Sequence, residues 1–329
     1  MKYSFAGAAA LLLSTALAAP AAADSLEVSV GGKYAIGAFY RGGEDFPTDE
    51  GVEILRDGEV IITARGTLDN GITFRAQVEI ESFTDTDQID ENFVRIGTQF
   101  GEFMIGADDT AADKHREGWF NPPENIIGYF NSDVSDIEPS TEGDDLSIRY
   151  TTPRISGFQA AFSYGIDGTD ALSDAGRQTE ITGGGDIFSF GASYRGDVGP
   201  VELRLGGGIV AINSAGSPDV TWTFGGEVYT TAIGPGELGL AAHYDDNGSD
   251  LEESTISGGI QYEVGPWTFA GGYTRELFSG TDNQTYAAWV EYALAPGVTA
   301  VFGYEGNNTT DSGIDTFDNI VGGYLDLQF

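Results

Sequence analysis

ARGTLDNGITFRAQVEIES, Ala64 to Ser82, decides the fold. Before Asp69-Asn70-Gly71 the apolar positions are Ala64, Gly66 and Leu68; after it they are Ile72, Phe74, Ala76, Val78 and Ile80. The alternate positions hold Arg65, Thr67, Thr73, Arg75, Gln77, Glu79 and Glu81. A period of two sends the two sets to opposite faces of a strand, and Asn-Gly supplies the φ > 0 positions of a tight turn. The segment reads as a hairpin with one apolar face and one charged face.

The same pattern extends in both directions. From Leu26 onward Val28, Val30, Tyr34, Ile36, Ala38 and Tyr40 alternate with Glu27, Ser29 and Lys33 over about fifteen residues, far beyond the usual five or six of a soluble strand. Such a run crosses a membrane at a tilt. Downstream, Phe93 to Thr98 and Glu102 to Ala107 flank Phe100-Gly101, and Leu146 to Thr152 precedes Phe158 to Ile166. Ile187 to Tyr194, Val201 to Ala211, Val220 to Ile233, Leu238 to Tyr244, Ile256 to Val264, Trp267 to Leu277, Gln284 to Leu294, Val298 to Glu305 and Phe317 to Phe329 continue it, about sixteen strands in all. Short turns alternate strictly with longer polar loops, among them 167–185, 245–253 and 306–316, so one end of the structure is tidy and the other ragged. That is the arrangement of outer-membrane barrels, in which closure satisfies every strand edge. The fold class expected is all-β, a transmembrane antiparallel β-barrel.

One interval keeps no period. Asp109 to Asp145 mixes acids with Trp119, Phe120, Tyr129, Phe130 and the pair Pro122-Pro123. Unstructured connections of this length are uncommon and usually functional. It is expected to fold into the lumen and to set the width and field of a pore.

The ends and the composition fit an exported membrane protein. Residues 1–23 carry Lys2, an apolar stretch from Ala8 to Ala18, and Ala21-Ala22-Ala23, the pattern of a cleaved secretory signal; residues 24–329 then form one barrel domain. Cysteine is absent, so disulfides do not stabilise the chain. Net charge is −37, and loss of Lys2 makes it −38, which excludes nucleic acid as a partner because phosphate binding needs basic surface. A hydrophobic content of 40% with regular alternation excludes disorder.

At the C-terminus Val321, Leu325, Leu327 and Phe329 share one face, with Tyr324, Asp326 and Gln328 on the other. A terminal Phe behind alternating apolar residues resembles the closing-strand signature of bacterial outer-membrane proteins. With the hairpin from Ala64 to Ser82, FVRIGTQFGEFMIGADD (Phe93 to Asp109) and LSIRYTTPRISGFQAAFSYGIDG (Leu146 to Gly168), the mature chain is similar to a general bacterial outer-membrane porin of the alphaproteobacterial, Rhodobacter type. It does not carry the Pro-Glu-Phe-Gly-Gly sequence of the enterobacterial branch.

The resemblance implies a sixteen-stranded homotrimer in the outer membrane of a Gram-negative bacterium, with one water-filled pore per subunit narrowed by an inward loop. It implies passive diffusion of ions and small hydrophilic solutes, contact with lipopolysaccharide and outer-membrane lipid, and assembly by machinery that reads Leu325, Leu327 and Phe329. It also implies a basic wall facing an acidic loop across the constriction. Lys33, Arg65, Arg75, Arg95 and Arg149 have lumen parity for the wall, and Glu117, Glu124, Asp133, Asp136 and Glu138 supply the loop. The acid excess makes the expected pore weakly cation-selective.

The same residues admit other readings. Asp245, Asp246, Asn247, Asp250, Glu252 and Glu253, or Asp133, Asp136 and Glu138, offer oxygens to Ca2+, yet Gly248 is misplaced for an EF-hand; no cofactor is required. A barrel hydrolase generally needs a His base, and His115 and His243 sit in no Gly-x-Ser-x-Gly elbow. A barrel with a specific-solute site is the nearer alternative, and a plugged structural barrel conflicts with the many charged inward positions.

Overall fold

The two ends of the chain close the structure. In the computed structural model β1 (Glu27–Gly43) pairs antiparallel with β16 (Ile314–Gln328), from Lys33 opposite Gln328 to Gly43 opposite Asp318. Gly32 and Phe329 exchange backbone hydrogen bonds of 2.9 and 3.0 Å just beyond. Between them run β2 (Gly51–Thr67), β3 (Thr73–Glu81), β4 (Ile89–Thr98), β5 (Gly101–Ala107), β6 (Leu146–Thr151), β7 (Phe158–Ile166) and β8 (Asp186–Val198). β9 (Val201–Ser214), β10 (Ser217–Thr230), β11 (Glu237–Asp246), β12 (Ser254–Val264), β13 (Trp267–Phe278), β14 (Thr281–Ala295) and β15 (Val298–Asp311) complete it. Each strand pairs with its sequence neighbours in one closed sixteen-stranded barrel. The structure describes residues 26–43, 51–82, 89–120, 146–166, 186–214, 217–246, 254–278, 280–311 and 313–329; the expected signal segment lies outside them.

The deciding hairpin forms as read, with one refinement. Leu68 N–H donates to Ile72 O at 2.8 Å, Gly71 N–H to Leu68 O at 2.8 Å, and Ile72 N–H to the Asn70 side chain at 3.1 Å. Gly71 alone takes positive φ, at 82°, so this is a three-residue loop closed by a left-handed glycine. The expected strict alternation of short and long connections does not hold. Gly306 to Thr316, read as a polar loop, is mostly strand: Asn307 pairs with Asp318, Thr309 with Thr316 and Asp311 with Ile314. Ser214 and Ser217, and Phe278 and Thr281, likewise pair across their hairpins. These strands run on with polar residues because ladder hydrogen bonds do not require an apolar face. Conversely, Val220 to Ile233 stops at Thr230.

Parity sorts the wall. Val28, Val30, Ile36, Val60, Ile62, Val94, Ile105 and Ile148 are exposed on the outer face, where lipid replaces water as solvent. Thr63, Gln77, Ser163, Ser189, Thr223, His243, Thr255 and Thr285 are buried on the inner face. One sector of that inner face is apolar, contrary to a uniformly polar lumen: Ala35, Phe39, Trp289, Val301, Ile320 and Tyr324 form a buried cluster on β1 and β14 to β16.

Candidate functional site

The long connection leaves β5 at Asp108, which is pinned at once. Its carboxylate bonds Arg95 Nη2 at 2.7 Å, Lys114 Nζ at 3.0 Å and Arg149 Nη2 at 2.5 Å. Arg149 also donates to Asp109 O, and Lys114 pairs with Asp109. Burial would raise the Asp108 pKa, but Arg149, Lys114 and Arg95 outweigh it and hold the carboxyl at about 2. One buried carboxylate thus joins β4, β6 and the start of the loop.

From there the chain crosses the inner wall strand by strand. Ala111 N–H donates to Ser163 Oγ on β7 at 3.0 Å, and Ala112 N–H to Ser189 Oγ on β8 at 2.8 Å. A 3-10 turn, Asp113–His115, sets the His115 imidazole 2.8 Å from Ser193 Oγ. Glu117 bonds Arg195 Nη2 at 2.6 Å, Gly118 N–H donates to Glu227 on β10 at 3.2 Å, and His243 Nδ1 on β11 donates to Glu117 O at 2.7 Å. His243 Nε2 lies 2.8 Å from both Thr223 Oγ1 and Asp245 Oδ1. Trp119 meets His243 edge-on at 5.3 Å, and Phe120 meets Tyr229 at 6.0 Å. Serines, a glutamate and a histidine therefore satisfy the donors and acceptors of a segment that has no sheet partner of its own.

The wall has been hollowed to admit this backbone. Cβ atoms at Gly191, Gly206 and Gly225 would strike the carbonyl oxygens of Ala111, His115 and Glu117. Gly118, at φ 117°, passes against Ala242 O with equally little room. Close seating also desolvates His115: burial pushes its pKa down to about 4, with Arg154, Arg149 and Arg195 adding to the effect. It sits there neutral.

Residues 7–312 match the family model for Gram-negative porin. The chain belongs to the Gram-negative porin family. No curated protein matches. Among solved structures, a mutant Rh. blastica porin superposes with TM-score 0.66 at 19% identity, covering 92% of this chain and 100% of that one. A Rhodopseudomonas blastica porin triple mutant gives 0.62 at 18%, with the same coverage. A loop-deletion mutant of OmpT, an outer membrane protein of Vibrio cholerae, gives 0.64 at 17%, covering 93% and 100%. At these identities the likeness speaks for the barrel fold.

This porin is therefore an outer-membrane channel protein and not an enzyme, which removes the hydrolase reading; its two histidines are pegs for the loop. Of the expected basic residues, Arg65, Arg75 and Arg95 stand in direct register on β2, β3 and β4. Arg149 is in the same row, two strands further on beyond Met104, but buried against Asp108. Lys33 lies apart, its Nζ 3.0 Å from Glu59 Oε2. Glu117 is clamped instead to Arg195 on the inner face of β8. Glu124, Asp133, Asp136 and Glu138 lie outside the described residues. The sequence reading missed Asp108, Arg195, Glu227 and His243 as loop anchors, although lumen parity was the available signal for each.

Of the acidic loop that offers oxygens to Ca2+, Asp245 turns inward to His243 and Asp246 outward to Tyr244 at 3.2 Å, as successive strand residues must; its other members and Asp133, Asp136 and Glu138 lie outside the described residues. Among the described residues, two acidic groups have oxygens within 4.8 Å of one another, close enough for a shared cation: Glu59 with Glu79 and Asp90, and Glu91 with Asp108 and Asp109. Lys114, Arg95 and Arg149 already neutralise the second. Leu325 and Phe329 are exposed on the outer face and Leu327 is half-buried there.

Proposed function

We propose that this porin lets ions and small hydrophilic solutes diffuse passively through the barrel, with a weak preference for cations. The observation that supports it is the described limb of the loop, residues 108–120, lying on the polar inner face of a closed barrel whose outer face is apolar. Arg65, Arg75 and Arg95 line the inner wall beside this limb, and the acids Glu124, Asp133, Asp136 and Glu138 are proposed to face them. Lys33, paired with Glu59, and Arg149, held by Asp108, stand outside this basic wall, and Glu117 anchors the loop. Charge focused in a narrow slot within low-dielectric walls acts strongly on passing ions. The acid excess of the whole chain favours cations.

Residues 1–23 serve as the export signal, and Leu325, Leu327 and Phe329 as the mark read by the assembly machinery. The functional unit is a homotrimer set in outer-membrane lipid and lipopolysaccharide. Supporting it, aromatic pairs ring the outer face elsewhere: Phe158 with Tyr194, Tyr164 with Phe188, Trp222 with Tyr244, Trp267 with Tyr292 and Tyr273 with Tyr286. On β2 and β4 the outer face carries Val52, Ile54, Val60, Ile62 and Val94, with Arg56 among them and Phe74 on β3 between the two strands. Aromatic belts mark lipid interfaces, so a largely aliphatic face that carries no aromatic pair suits contact with another subunit.

Planar-bilayer recording tests the channel reading. Purified protein should give ohmic steps and, under a KCl gradient, a reversal potential of cation-selective sign. The preference should shrink at high salt, since the Debye length falls from about 10 Å at 0.1 M to about 3 Å at 1 M. No conductance would overturn the channel, and anion selectivity would overturn the charge argument.

A further inference from the structure

We propose that the row Arg65, Arg75 and Arg95 is a binding step for solutes carrying several oxyanion charges, such as oligophosphates, entered from the short-turn mouth. This rests on the diffusion-channel reading and adds a solute class and a direction to it. Three guanidinium groups occupy consecutive strands in direct register. Cross-strand neighbours have Cβ atoms about 4.5–5.5 Å apart, and like charges so placed repel. An anion between them relieves that repulsion.

The three are unequally neutralised. Arg95 bonds Asp108 at 2.7 Å and covers the Phe93 ring at 4.2 Å. Arg75 donates to the uncharged Gln77 amide and lies 5.8 Å from the same ring. Arg65 is exposed, and no hydrogen bond or ion pair holds it among the described residues; Glu27 stands opposite on β1 without pairing. Planar guanidinium forks take phosphate and carboxylate oxygens two at a time, and two adjacent forks match an anion with several such oxygens. The other arginine group of the inner wall is not comparable, because Arg195 and Arg204 are already held by Glu117, Glu202 and Glu227.

Charges on either side of the row set the direction. Toward the short-turn mouth the wall continues with Thr67 and Thr73, with Asp69 in the turn and Glu102 3.9 Å from Arg95 Nε. Toward the long-loop mouth it carries Glu79, Glu59, Glu81, Asp90 and Glu91, opposed by Lys33 and Lys114. An anion from that side passes a belt of carboxylates first. One from the short-turn side meets the arginines almost at once.

The test is block of K+ current by tripolyphosphate in a bilayer at ~0.1 M KCl, where charge acts over about 10 Å. Orientation is fixed with Pro296→Cys, in a short turn away from the row, modified by an impermeant thiol reagent from one chamber; the chain has no other cysteine. Tripolyphosphate on the short-turn side should block at a concentration roughly 10-fold or more below that needed on the other side, because the carboxylate belt slows its entry from there. Arg65→Gln with Arg75→Gln should abolish the sided block. Arg65→Lys with Arg75→Lys should weaken it, since charge remains and the fork is gone. Equal block from both sides, unchanged block in the Gln pair, or a Lys pair as effective as Arg would each overturn the proposal. Loss of all K+ current in the unmodified porin would instead overturn the channel reading beneath it.

Discussion

Asp108 shows how much one residue can hold. It is buried and bonded to Arg95, Arg149 and Lys114, so Asp108→Asn should leave Arg149 buried without its counter-charge. Loss of one partner of a buried pair costs about 3–5 kcal/mol, and increased protease cleavage within residues 109–120 would reveal it. His115 adds a pH dependence whose sign follows from its depressed pKa. Between the unperturbed 6.5 and about 4 the released imidazole binds a proton that the seated one refuses, so seating is favoured more as pH rises through that window. Seating should therefore be complete above pH 6.5 and weaken progressively down to pH 4. Hydrogen exchange at the Ala111 and Ala112 amides measures it, and His115→Gln should flatten the profile between those limits.

At the scale of the element, wall and loop are separable. Every strand finds its hydrogen bonds in its neighbours, and the described loop adds side-chain pegs to a sheet already closed. Deleting Glu117 to Asp136 should leave a folded barrel with higher single-channel conductance; a folded deletion with unchanged or lower conductance would remove the loop from the permeation path. Gly225→Val attacks the same contact from the wall, because its side chain would occupy the place of Glu117 O. Displacing a packed backbone costs roughly 1–3 kcal/mol. The barrel should still run as a folded heat-modifiable band, with altered conductance. β16 carries a different element-level role: Phe329→Ser should be exported yet accumulate poorly in the outer membrane, as fractionation would show.

The whole molecule is a cylinder whose outer face carries aromatic pairs on β5 to β8, β10, β11, β13 and β14, and a largely aliphatic sector around Val60, Ile62 and Val94 on β2 and β4. If that sector faces another subunit, Val60→Arg with Val94→Arg should convert trimers to monomers in native electrophoresis, whereas Ile209→Arg on β9 should lower membrane insertion instead, since charge facing lipid costs about 2–4 kcal/mol at mid-depth. The barrel itself was legible in the sequence. Alternation of period two is local, and lipid outside with water inside repeats the same demand on every strand, so Ala64 to Ser82 already stated the rule for the rest. The basic row was legible for the same reason, since parity assigns a face without any knowledge of neighbours. Parity does not assign register or depth. That Arg65, Arg75 and Arg95 align, that Arg149 is spent on Asp108, and that Lys33 joins Glu59 instead are consequences of how strands slide against one another. The loop was legible only as an interruption. Its path depends on wall glycines and buried pegs from β7 to β11, up to 126 residues away in sequence, and contacts of that separation exist only once the barrel has closed around them.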